Sequence, residues 1–199
     1  MKKEIFITLL IILLASSCSS IQDKHQALNN YFNTIIKDTT KEIIIFKKKI
    51  NSNQTIEIFG VNDIIAIDSK GSGRQDDNLY NKKDWNRMKE SYSVEYLAGK
   101  NPWFTNELWT KDDFDYKKII YEDIETGKVG AFFQKYDFKE SIDVYSFSEP
   151  IFYKNNKYLI FMVSEDRTPG GFTRPYIIIM KKKNGKWIVT HKGFPDWHN

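Results

Sequence analysis

The chain has 199 residues, of which 41% are hydrophobic and 15% aromatic, and its formal net charge is +4. This length suffices for one domain with a single core. Nucleic-acid-binding domains carry a stronger and clustered basic excess, so we expect no nucleic-acid partner. A lone cysteine, Cys18, excludes a disulfide within the chain.

The N-terminus has the pattern of a secretory signal. Lys2 and Lys3 give a positive start, Ile5 to Leu14 is apolar apart from Thr8, and small residues follow from Ala15. The apolar stretch is shorter than the roughly 20 residues that cross a bilayer. We therefore expect a cleaved signal and no transmembrane anchor.

Cys18 gives this signal a more specific interpretation. Ala15-Ser16-Ser17-Cys18 resembles the lipobox of bacterial lipoproteins, in which signal peptidase II cuts before a cysteine that carries a lipid, although Ala15 stands where that family prefers Leu. The resemblance implies a signal peptide over residues 1–17, acyl chains on Cys18 and, because Ser19 follows and not Asp, sorting to the outer membrane. More than one acyl chain is needed for stable anchoring to a membrane. The alternative is an ordinary secretory signal with a chance cysteine.

The first half of the mature chain alternates helical and strand patterns. We expect a polar tether over residues 18–24 and one domain over residues 25–199, with Asp23 capping its first helix. Apolar residues at helical spacing predict that helix from Gln26 to about Thr39: Leu28, Phe32, Ile35 and Ile36. The next segments predict, in chain order, a strand over Glu42–Ile50, strands over Thr55–Gly60 and Asp63–Asp68, a loop over Ser69–Asn78 and a helix over Lys82–Tyr92.

The second half predicts three hairpins. They join residues 118–123 to 128–134, 144–152 to 157–165, and 174–183 to 186–193. The last turns at Asn184-Gly185, the dipeptide that a type I′ turn favours. The fold class is therefore α+β, with the N-terminal helix packed on an antiparallel meander.

The last quarter of the chain resembles small lipoproteins common in Bacteroidota. The resemblance covers about Tyr145 to Val189 and rests on Ser-Glu-Pro-Ile-Phe, on the strand after it, and on the terminal Lys-Asn-Gly-Lys-Trp hairpin. It carries no catalytic residues to this sequence.

Catalytic and metal-binding patterns are weak. The three histidines, His25, His191 and His198, have no metal-ligand spacing, and no G-x-S-x-G motif is present. The carboxylates of Asp112, Asp113 and Asp115 lack the spacing of a calcium loop, so a helix start or a solvated turn is the expected role. We predict no cofactor, no metal and no catalytic residue.

Two segments are candidates for binding. Trp103, Phe104 and Trp109 lie among polar residues, where they stack on a glycan or a partner protein, or else close one end of the core. Arg167 and Arg174 flank a Pro-Gly-Gly tip, where they bind a carboxylate or phosphate, or else are solvated. Together with Cys18, these residues lead us to expect a lipid-anchored, non-catalytic envelope protein that binds a partner, such as an inhibitor or immunity protein. The alternative is an envelope hydrolase acting on glycan or peptide.

Overall fold

The computed structural model describes residues 20–67, 73–76, 78–96, 102–123, 135, 142–167, 171–172 and 174–195. Helix α1 covers residues 20–35, α2 covers Ser52–Val61, α3 covers Lys82–Tyr92, and a 3₁₀ turn covers Lys111–Asp113. The strands are β1 Ile43–Phe46, β2 Lys48–Ile50, β3 Ile64–Ile67, β4 Gly73–Gln75, β5 Phe104–Leu108, β6 Ile119–Glu122, β7 Asp143–Phe147, β8 Ile151–Tyr153, β9 Tyr158–Arg167, β10 Gly171–Phe172, β11 Tyr176–Lys183 and β12 Lys186–Gly193.

One large sheet dominates the described part of the chain. Its strand order is β4-β3-β12-β11-β9-β7-β1-β6, and β8 and β10 also pair with β9. Most pairs are antiparallel, but β1 runs parallel to both β6 and β7. Strands β2 and β5 form a separate antiparallel pair. The predicted α+β class is confirmed, and the parallel pairs around β1 are a feature that the meander prediction lacked.

Helix α1 covers one face of the sheet. Its side chains Leu28, Tyr31 and Phe32 are buried, and the ring of Phe32 lies 5.8 Å from that of Phe147 on β7. Ile35 and Ile36 pack at the margin of the same core. The helical spacing read from the sequence therefore identified the buried face correctly.

Helices α2 and α3 cover the opposite face. Phe59 of α2 and Met88 of α3 join Ile160 and Met162 of β9 in a second core. The predicted α3 has the bounds expected from the sequence, and the side chain of Asn81 caps it by accepting from two backbone amides of its first turn. The sheet is thus covered on both sides, so residues 159–163 of β9 and 177–180 of β11 are all apolar and buried.

Several predicted elements are wrong. Thr55–Gly60 is not a strand but most of α2, which begins at the capping side chain of Asn51 and ends at Asn62 with a φ of 64°. The sequence predicted a strand because a polar residue separates Ile56 from Ile58, as on a strand with one buried face. In the structure both isoleucines are buried on a helix by tertiary packing.

Three boundaries also differ from the prediction. Residues 20–24 of the expected tether are helical, so Asp23 does not cap α1; its carboxylate accepts from Lys182 Nζ and from Trp187 Nε1. Glu42–Ile50 divides into β1 and β2, which belong to different sheets. Within the expected Ser69–Asn78 loop, Gly73–Gln75 forms the edge strand β4.

The last two hairpins are confirmed. The β8–β9 turn places Lys154, Asn155 and Asn156 at positive φ, and the β11–β12 turn does so for Asn184 and Gly185. The first predicted hairpin lies largely outside the described residues, although its first segment contains β6. Phe194 packs back on the core as predicted, with its ring 6.1 Å from that of Tyr176.

The β11–β12 turn gives a test of backbone strain. Gly185 has a φ of 77°, and a Cβ there would meet no atom within 4 Å. Gly185→Ala should therefore lower the free energy of unfolding by about 1 kcal/mol, through conformation alone. Urea denaturation measures this, with the exposed neighbour Lys186→Ala as the control. An unchanged stability in Gly185→Ala would contradict the assigned turn.

Candidate functional site

A groove of about 700 Å³ opens beside the C-terminal end of α1. Its position follows from the fold, because α1 ends beside the N-terminal ends of β1 and β7 and the C-terminal end of β9. The groove is lined by Thr34, Ile35, Ile36, Lys37, Asp38, Lys41, Ile43, Asp143, Tyr145, Glu165 and Asp166. Its volume falls in the range of small-ligand sites.

The groove has two walls of different charge. Asp143, Glu165 and Asp166 contribute carboxylates from the sheet, whereas on the segment after α1 the ammonium groups of Lys37 and Lys41 outnumber the carboxylate of Asp38. Asp166 is buried, and Ser164 Oγ donates to it at 3.3 Å. A ligand that carries both charges, such as a peptide segment, matches this distribution.

Glu165 is held in place by two buried tyrosines. Tyr31 Oη donates to Glu165 Oε1 at 2.8 Å, and Tyr176 Oη donates to the same oxygen. The two phenol oxygens lie 3.0 Å apart. Burial above all raises the pKa of both tyrosines far above the usual value, followed by Tyr176 and then Glu165 for Tyr31, and by Glu165 for Tyr176. Both therefore remain neutral hydrogen-bond donors to the groove wall at physiological pH.

The segment expected to bind through Arg167 and Arg174 begins at this groove. Its first two residues, Glu165 and Asp166, line the groove, and Arg167 is paired with Asp143 in the β7–β9 register. The tip at Pro169 and Gly170 lies outside the described residues. Arg174 is exposed. Anion binding by the two arginines stays a prediction.

The predicted aromatic segment is divided between surface and core. Phe104–Leu108 forms β5, and Trp109 after it is buried, with its Nε1 donating to Phe147 O at 3.2 Å. Phe104 is half-buried against the second core. Trp103 is 40% exposed. Trp109 thus closes one end of the core, as the alternative interpretation expected, and only Trp103 presents a large aromatic surface.

A charged network lies beside Trp109, near the start of α1. Glu149 accepts from Lys24 Nζ at 2.7 Å and from Lys49 Nζ at 3.1 Å, and Lys49 also reaches Glu107 at 3.2 Å. Lys49 Nζ lies 4.8 Å from the centre of the Trp109 ring. Lys49 is therefore not a solvated lysine at a strand end, because its side chain is only 16% exposed.

Burial and charge oppose each other in this network. Burial by itself raises the pKa of Glu149, but the hydrogen bonds and charges of Lys24 and Lys49 outweigh it and leave that pKa below its usual value. For Lys49, burial lowers the pKa, but Glu149 and Glu107 outweigh it and leave that pKa raised. Each partner is therefore stabilised in its charged form. Sequence reasoning missed the network because its members are far apart in the chain.

His191 forms a second polar cluster, on β12. Its Nε2 lies 3.1 Å from Asp76 Oδ2, and its Nδ1 lies 2.9 Å from Thr190 Oγ1. The β11–β12 register shifts at this point, so that Thr190 is an extra residue on its strand. Such bulges re-aim side chains and occur often near active sites. The arrangement joins a carboxylate, an imidazole and a hydroxyl in one hydrogen-bonded chain.

The acidic triplet has a structural role. Asp113 closes a capping box with Thr110, accepting from its backbone amide at 2.7 Å, and Asp112 lies in the same short 3₁₀ turn. Within the described ranges no group of three or more His, Cys, Asp or Glu side chains is arranged to hold a metal ion. Among those same residues, no helix has the length and apolarity to span a membrane.

Comparisons with known proteins found no match to this chain among protein-family models, curated proteins or solved structures.

The buried tyrosines predict a loss of stability in alkali. The unfolded chain releases phenolic protons above about pH 10, whereas folded Tyr31 and Tyr176 retain theirs, so the free energy of unfolding should fall as pH rises. The slope is at most about 1.4 kcal/mol per pH unit for each tyrosine. Urea denaturation measured at rising pH should show a shallower fall in Tyr31→Phe/Tyr176→Phe. If the stability of this variant fell with pH as steeply as that of the parent chain, the raised pKa values of the two tyrosines would be contradicted.

The charged network predicts an acid-dependent stability. Because the pKa of folded Glu149 lies below its usual value of 4.5, its contribution is present at neutral pH and is lost as pH falls through the folded pKa. Glu149→Gln should be less stable at pH 7 and should lose less stability on acidification. The matched control is Glu90→Gln at an exposed position of α3. A wild-type acid profile in Glu149→Gln would refute this role.

Proposed function

We propose that the chain is a lipoprotein of the bacterial outer membrane, attached through Cys18, that binds an envelope partner without chemical turnover. The observation that carries the proposal is the groove of about 700 Å³ with walls of different charge at the C-terminal end of α1. The signal pattern before Cys18 supports the location, and the groove supports the binding role.

The position of the groove fits an anchored binding protein. Helix α1 starts at residue 20 and ends at residue 35, so its two ends are about 22 Å apart. The groove adjoins the far end, while Cys18 precedes the near end. A ligand in the groove is therefore held away from the lipid, where a partner has access to it.

Proximity labelling and charge reversal test the binding role. The domain from Ser20 onward, with a photo-crosslinking residue in place of Thr34 on the groove rim, is exposed to envelope extract and to synthetic peptides. We expect one crosslinked partner, lost in Lys37→Glu/Lys41→Glu, because reversal removes the basic wall. The control Lys183→Glu/Lys186→Glu makes the same change on the exposed β11–β12 turn. Equal crosslinking in both variants, or none in the parent, would exclude the groove.

The hydrogen bonds that join Asp76, His191 and Thr190 favour a second candidate function, that of a hydrolase acting on envelope glycan or peptide. Asp76 orients the imidazole, and the Thr190 hydroxyl, which donates to the carbonyl oxygen of Ile179 at 3.3 Å, lies 2.9 Å from His191 Nδ1, to which its proton would pass on activation. Turnover of glycan or peptide substrates that disappears in both His191→Asn and Thr190→Val would establish this candidate. Turnover that survives both substitutions would eliminate these residues as its source.

A further inference from the structure

Helix α1 is firmly attached to the domain. Residue 20 is already helical, and the first turns of the helix are fixed to the sheet. Lys24 donates to Glu149, Asp23 accepts from Trp187 Nε1 at 3.2 Å, and Leu28 is buried. The helix therefore moves with the rest of the domain.

This rigidity limits the distance between the domain and the lipid. Consecutive Cα atoms are 3.8 Å apart, so the Cα atoms of Cys18 and Ser20 are separated by at most about 7 Å. A lipidated Cys18 lies at the membrane surface, and the start of α1 must lie there too. The protein surface around the start of α1 then faces the bilayer.

That surface, which we call the anchor face, carries exposed apolar side chains. It comprises Ile21, Val94 and Trp103, which are 56%, 46% and 40% exposed. Ile21 lines a cavity of about 60 Å³ and Val94 lines a neighbouring cavity of about 140 Å³; both cavities are also lined by Lys24 and Lys49. Ile21 and Val94 therefore flank the same two lysines.

Trp103 adjoins Val94 at the start of α2. Its carbonyl oxygen accepts from the backbone amide of Asn51 at 2.9 Å, while Asn53 Oδ1 accepts from the amide of Val94 at 3.0 Å. The anchor face thus combines aliphatic side chains and a tryptophan around Lys24 and Lys49, whose charges are paired with Glu149 and Glu107. Tryptophan is a side chain that favours the headgroup region of a bilayer.

We propose that the anchor face is a lipid-binding surface, with Ile21, Val94 and Trp103 seated in the headgroup region of the membrane that holds the lipid of Cys18. This inference rests on the proposed function for the lipid. Attachment makes contact with the bilayer intramolecular, so weak apolar contacts suffice to fix one orientation. In that orientation the groove points away from the membrane.

Fluorescent probes in the lipidated full chain test this orientation. The chain has one cysteine, which the lipid occupies, so Val94→Cys and Thr39→Cys each supply a single free thiol for an environment-sensitive dye. Thr39 is exposed and follows α1 at the groove end. In phosphatidylethanolamine–phosphatidylglycerol vesicles, we expect a blue shift and quenching by spin-labelled lipid for the dye at residue 94, and neither for the dye at residue 39.

The results of these measurements distinguish a failure of the lipid-binding surface from a failure of the proposed function. Mass spectrometry of the purified chain first establishes the lipid on Cys18; a mature chain without lipid would overturn both proposals. A lipidated chain whose dye at residue 94 behaves like that at residue 39 would overturn the lipid-binding surface alone. Adding Trp103→Ser should reduce the quenching at residue 94, whereas Ile188→Ser, at a position of equal exposure on β12, should leave it unchanged.

Discussion

The burial of β9 on both faces is the constraint on which the rest of the structure depends. Leu159, Phe161 and Val163 point into the core beneath α1, whereas Ile160 and Met162 point into the core beneath α2 and α3. Both edges of the strand are paired, with β7 and β8 on one side and with β10 and β11 on the other. Residues 159–163 of this strand have no solvated face, so they are all apolar, and the sheet needs helices on both sides.

Two polar groups beside this core are held by hydrogen bonds. Ser148, at the bend between β7 and β8, accepts from the amide of Met162 and contacts the Thr55 hydroxyl at 2.9 Å. Glu165, at the end of β9, accepts from two tyrosines. Because an unpaired buried polar atom is costly, these hydrogen bonds determine where the sheet bends and which carboxylate reaches the groove.

The two ends of the α1 layer have different chemistry. The groove at one end combines carboxylates with lysines, whereas the anchor face at the other combines apolar side chains with a neutralised lysine pair. The helix between them is a rigid spacer because its buried face is locked into the first core. The separation of the groove from the start of α1 is therefore a property of the fold.

The sequence by itself determined the elements whose patterns are local. The 3.6-residue spacing located the buried face of α1, the bounds of α3 were those expected, and Asn184-Gly185 determined a turn because its backbone angles are intrinsic to those residues. Only the tertiary structure decided that Thr55–Gly60 is helical, that β1 runs parallel to its neighbours, and that Trp109 and Lys49 are buried. Those outcomes depend on contacts with residues distant in the chain, such as Phe147 and Glu149. Where a segment fits both a helix and a strand pattern, burial in the tertiary structure outweighs local propensity. The groove and the anchor face are formed by residues from several elements, so neither could be predicted from the sequence alone.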